Sequence, residues 1–80
     1  MKVMTYEERV GKMHTPDDVG EQLRLAKAYV FRLRRKFKKA ACLAEKVELE
    51  AALKAAESVL RRLRLNVFDL EDRLREKQSP

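Results

Sequence analysis

The sequence predicts an all-α fold: a helical hairpin or a helix-turn-helix, followed by a long C-terminal helix. Three observations predict it. Apolar residues recur at alternating steps of four and three through most of the 80 residues, which keeps them on one face of a helix. Between Pro16 and Lys77 the only glycine or proline is Gly20, so few local signals oppose helix. Charged residues make up 40% of the chain and are interspersed with Leu, Ala and Val, a pattern of solvated helices with an apolar stripe.

Residues 1–14 form an N-terminal arm without a sustained period. Tyr6 to Met13 offers a short helix, and Met1, Met4, Val10 and Met13 are its candidate packing residues. The first firm signal is Thr15-Pro16-Asp17-Asp18. Thr suits the N-cap, Pro suits the first helical position, and two acids face the positive end of the helix dipole. A helix therefore starts at Pro16.

A first apolar seam then runs Val19, Leu23, Ala26, Val30, Leu33, Phe37, Ala40, Ala44, Val47. A second runs Leu49, Leu53, Ala56, Leu60, Leu63, Val67, Leu70, Leu74. The two differ in phase by two residues, which one straight coiled coil does not tolerate without a stutter or a break. Two break points are open: Arg24-Leu25, and the stretch from Lys38 to Glu45. The second seam predicts a helix over 45–77, on the order of 45–50 Å long at 1.5 Å per residue. Acid-first pairs flank it at i, i+4: Glu50–Lys54, Glu57–Arg61, Asp69–Arg73 and Glu71–Arg75. Such a helix must cover its stripe with the first half of the chain or with another chain. Leu49, Leu53, Leu60, Leu63, Val67, Leu70 and Leu74 are accordingly the candidate dimerisation residues, in a coiled coil or a four-helix bundle.

Charge is unevenly placed. Residues 17–46 carry nine Lys or Arg against four acids, whereas 47–80 carry seven of each. Arg32 to Lys39 holds six cations in eight residues with no acid. Such a run meets a polyanion or an acidic partner. Eighty residues allow one small domain, and a chain this short buries little core alone. A single cysteine, Cys42, excludes an intrachain disulfide and is expected to be a small packing residue. Cys42 and His14 are the only soft ligands and lie far apart in sequence, so no metal or other cofactor is expected. No nucleophile–base pair or phosphate-cradling glycine loop is visible, so the chain is read as a non-enzyme. It has no stretch of about 18 apolar residues and no signal-peptide core, so a cytoplasmic protein is expected.

The run Thr15 to Lys36, TPDDVGEQLRLAKAYVFRLRRK, resembles the start of DNA-binding domains of the excisionase and mercury-resistance-regulator type. Those open with a Thr-Pro-acid-acid cap and close the second helix with a Tyr-Arg-Leu-like segment, matched here by Phe31-Arg32-Leu33. Arg24 stands at the turn position usually held by Gly, Ala26 replaces the usual Ser, and no β-wing pattern follows. The resemblance implies a turn at Arg24-Leu25, with Gly20 where the two helices come close. It implies that Lys27, Ala28, Tyr29 and Arg32 face the major groove, with Arg32 placed for a guanine edge. Arg34, Arg35, Lys36, Lys38 and Lys39 then meet phosphates.

The expected function is that of a small dimeric DNA-binding protein, a transcriptional regulator or accessory factor, with segment 15–40 as the reader and 45–77 as the dimerisation helix. The alternative is a helical-hairpin or coiled-coil interaction protein whose basic face docks an acidic protein or an anionic surface. Expected partners are a second copy of the chain and DNA or another polyanion; membrane is not among them.

Overall fold

The computed structural model describes residues 2–78. They form four helices in chain order: α1 (Tyr6–Gly11), α2 (Pro16–Lys39), α3 (Leu43–Leu65) and α4 (Val67–Gln78). The described residues contain no strand. The all-α expectation holds, and the arrangement is a helical hairpin with an N-terminal arm laid on it.

α2 begins where the cap predicts. Thr15 is the N-cap, in extended conformation, and Pro16 opens the helix. The Asp18 carboxylate accepts the N–H groups of His14 (2.8 Å) and Thr15 (3.0 Å). These two bonds hold its carboxyl below the usual carboxylate range. α2 then continues without interruption to Lys39. The turn at Arg24-Leu25 is therefore not formed. Arg24 instead donates to Glu21 one turn earlier (3.1 Å), and Leu25 is partly exposed rather than a turn anchor. Gly20 is not a close-approach residue either, because a Cβ there meets nothing within 4 Å.

The chain reverses at the other candidate break, over residues 40–42. Ala40 leaves the helix with φ −63°, ψ 130°, and Cys42 caps α3 in extended conformation. No Gly or Pro marks this turn. The phase slip marks it instead, since only a reversal lets the two seams face each other. Lys36, Lys38 and Lys39 occupy the last turn of α2, where cations favour the negative end of the dipole. The first seam ends there: Ala40 is buried, but Ala44 and Val47 are exposed. Cys42 is exposed too, with no packing role.

Val19, Ala26, Val30 and Leu33 of α2 pack against Leu49, Ala52, Ala56, Leu60 and Leu63 of α3 and Leu70 and Leu74 of α4. Leu53 and Val67 pack at the edge of this core. The seam expected to join two chains is thus filled by α2 of the same chain. The i, i+3, i+4 stripe has its cover intramolecularly, which removes the sequence-level reason to pair through it.

The long C-terminal helix is also interrupted once. Asn66 takes φ −108°, ψ 10°, and its side-chain amide donates to the Arg62 carbonyl (2.8 Å). Helical phase survives the break, because the Asn66 N–H reaches the Arg62 carbonyl (3.1 Å) and the Leu70 N–H reaches the Asn66 carbonyl (2.9 Å).

The arm folds onto one side of the hairpin. Thr5 and Glu8 make a reciprocal capping box for α1: the Glu8 N–H donates to Thr5 Oγ1 (3.1 Å) and the Thr5 N–H to Glu8 Oε1 (3.2 Å). Met13 is buried, and Val3, Tyr6 and Val10 pack on the core. Met1 lies outside the described residues. Arg9 and Gln22 are both buried and meet each other, the Arg9 guanidinium donating to Gln22 Oε1 (3.1 Å). On α3, Arg62 lies over the Tyr6 ring (4.0 Å to its centroid) and pairs with Glu7 (3.6 Å). The Cα trace spans 55 × 17 × 16 Å.

Candidate nucleic-acid interface

The residues expected to meet DNA all lie on α2, and the helix sorts them. Lys27, Arg32, Arg34, Arg35, Lys36, Lys38 and Lys39 are exposed, while Tyr29 is half-buried against the arm side of the core. At 3.6 residues per turn they fall on two stripes rotated by roughly a third of a turn.

Arg32, Arg35, Lys36 and Lys39 recur at i, i+3, i+4, i+7 and line one shallow cleft of about 310 Å³, closed at its rim by Glu45. None of the four makes an ion pair among the described residues. The Arg32 guanidinium rests over the Tyr29 ring at 5.7 Å from its centroid. Four cations on two turns, with Glu45 as the one carboxylate on the cleft, repel one another, and an anion with repeating charge relieves that repulsion.

Lys27, Arg34 and Lys38 recur at i, i+7, i+11 on the other stripe, with Phe31 between the first two. Lys27, Phe31 and Arg34 edge a larger groove of about 520 Å³ between α2 and α3, on whose far wall stand Glu57, Arg61 and Arg64. Arg34 is not free for a phosphate, because it bonds Glu57 across the groove (3.3 Å) and lies 5.9 Å from the Phe31 centroid. Glu57 thus turns to α2 rather than to Arg61. Of the expected helix-surface pairs, Glu50–Lys54 forms (3.4 Å); Arg75, expected with Glu71, meets Asp72 at i, i+3 (3.3 Å).

Arg61, Arg62 and Arg64 form a smaller basic cluster in the sequence, but none of them was expected at this site. Arg61 and Arg64 reach the groove, whereas Arg62 between them serves the arm. The signal was the reversal of the chain, which sets residues near 60 beside residues near 30.

A major groove is about 12 Å wide and admits one helix. α2 is flanked by α3 over most of its length, and the Cα cross-section is 17 × 16 Å. Lengthwise insertion of α2 is obstructed, whereas contact with phosphates along a groove edge is not. Among the described residues no group of three or more His, Cys, Asp or Glu could hold a metal ion, and no helix is long and apolar enough to cross a membrane. No protein-family model, curated protein or solved structure matches this chain.

Proposed function

We propose that this chain is a non-enzymatic binding module that holds duplex DNA by its phosphates through Arg32, Arg35, Lys36 and Lys39. The observation that carries this reading is the unpaired four-cation stripe on two consecutive turns of α2. Its role is that of an accessory factor more than a base reader: phosphate contacts fix position and affinity but carry no sequence information. Lys38, exposed beside the stripe, extends it. Arg32 rests over the Tyr29 ring at the start of the stripe, and Lys27 lies on the neighbouring one.

Fluorescence anisotropy with two labelled duplexes of unrelated sequence tests this. Reversing Arg35 and Lys36 to Glu is expected to weaken both duplexes alike, by roughly tenfold or more at low salt. Binding unchanged by these substitutions would remove the stripe from the interface.

A second reading is favoured by Leu43 and Val47. They are 77% and 59% exposed, one turn apart at the start of α3, close to the basic end of α2. Apolar residues beside cations suit an acidic protein surface. Leu43→Ser and Val47→Ser leave DNA binding unchanged if the first reading is right and abolish partner binding if the second is.

A further inference from the structure

The face of α3 and α4 that points away from the core has an order that its burial does not require. Arg61, Arg64, Leu65, Phe68, Asp69 and Asp72 recur at i, i+3, i+4, i+7, i+8, i+11, and all six are exposed. Helical phase continues through Asn66, so they share one face, opposite the buried Leu63, Leu70 and Leu74. Two cations come first, two large apolar residues stand in the centre, and two carboxylates come last. Leu65 is 77% exposed and Phe68 81%, the latter more than any other large apolar side chain among the described residues. Arg61, Arg64 and Asp69 have no ionic partner among the described residues.

We infer that this face is a self-complementary docking surface whose occupant is a second copy of the chain, packed antiparallel about a two-fold axis at Asn66–Val67. Antiparallel pairing about that point sets Arg61 against the partner's Asp72, Arg64 against the partner's Asp69, and Leu65 against the partner's Phe68. By symmetry every contact occurs twice, as an isologous interface demands. The apolar pair sits at the centre and the charges at the rim, the usual anatomy of a protein interface. Asp72 exchanges an exposed i, i+3 contact with Arg75, which is worth little in water. Glu57, next along the face, is already held by Arg34. Pairing through the neighbouring groove instead would bring Lys27, Arg61 and Arg64 of both copies together, and like charges oppose it.

The face is 12 residues long, about 18 Å by a helix width of about 10 Å, so two copies cover roughly 400 Å², well below the roughly 1,200 Å² of a stable interface. Association is therefore weak and depends on concentration. The inference does not depend on nucleic-acid binding, since none of its six residues belongs to the α2 stripe.

Sedimentation equilibrium of the full chain at low salt, from about 10 μM to 1 mM, brackets such affinities. A monomer–dimer equilibrium that weakens with salt is expected. Phe68→Glu is expected to raise the dissociation constant by roughly tenfold or more, with helical circular dichroism retained. Arg61→Asp with Arg64→Asp is expected to do the same, and adding Asp69→Arg with Asp72→Arg to that chain restores the dimer. That restoration reads the pairing and not the fold. A chain monomeric throughout overturns the inference. So does a dimer that Phe68→Glu leaves intact, or one that the charge exchange fails to restore.

Discussion

At Gly20 the helix carries a cost without a visible return. The residue is exposed in the second turn of α2, and a Cβ there meets nothing within 4 Å. Gly→Ala in a helix stabilises by roughly 0.5–1 kcal/mol, so Gly20→Ala is expected to raise the melting temperature by about 2–8 °C for a domain of this size. Asp18 makes a second prediction. Its carboxyl is held below the unfolded value by the N–H groups of His14 and Thr15. A depressed folded value adds stability above the unfolded carboxylate range and loses it as pH falls through the folded value. The advantage of wild type over Asp18→Asn in thermal melts is therefore expected to be full at neutral pH and to shrink below about pH 4. An advantage that persists undiminished well below the unfolded carboxylate range contradicts this account of the cap. Arg9 and Gln22 make a third. Burial pushes the Arg9 guanidinium below its usual value, and its hydrogen bond goes to Gln22 Oε1. Gln22→Ala strips that acceptor from a buried charge and is expected to cost about 1–3 kcal/mol in denaturant unfolding. The same substitution beside Arg9→Met should cost less, because no charge is then left unpaired.

At the scale of elements, the two seams locate the core, but only one of them runs to its predicted end. Leu63 is 1% exposed against α2, whereas Val47, counted in the first seam, is 59% exposed beyond the turn. Leu63→Ala is expected to cost about 2–5 kcal/mol and Val47→Ala to lie within about 0.5 kcal/mol of wild type. Comparable losses at both positions would point to a continuous coiled coil. The start of α2 was legible because a cap is local chemistry. The reversal at 40–42 was legible only as a phase slip, since Ala40, Ala41 and Cys42 carry no turn signature and the break is imposed by packing. The Arg24-Leu25 turn competed with it on the strength of Gly20 and Leu25; Val19, Leu23, Val30 and Leu33 belong to the first seam and suit an unbroken helix equally well. For α1 the sequence offered only a short helix over Tyr6 to Met13, and the capping box of Thr5 and Glu8 is the local signal that went unread. The basic run was legible residue by residue. Its division into a free stripe and a groove wall was not, because Arg34's tie to Glu57 spans 23 positions.

For the whole molecule, the position of charge matters more than its sum. The chain carries a net charge of +6, and the unpaired α2 stripe sits at the hairpin end of a rod 55 Å long. The opposite half mixes both signs on the outward face of α3 and α4. An antiparallel pair joined near Asn66 places two such basic ends at opposite poles, roughly 60 Å apart at 1.5 Å per residue. Under the two proposals, one element binds a polyanion and another sets the distance between two binding ends. The broad cross-section argues against burial of α2 in one groove and for contact along phosphates. The most direct measurement of that claim is the salt dependence of duplex DNA binding. The log of the association constant against the log of salt is predicted to fall with a slope of about −3 to −5, as four or five cations displace counterions. Removing Lys36 and Lys39 together is predicted to flatten it by about 2. No binding at low salt, or a slope that the two substitutions leave unchanged, would contradict the account.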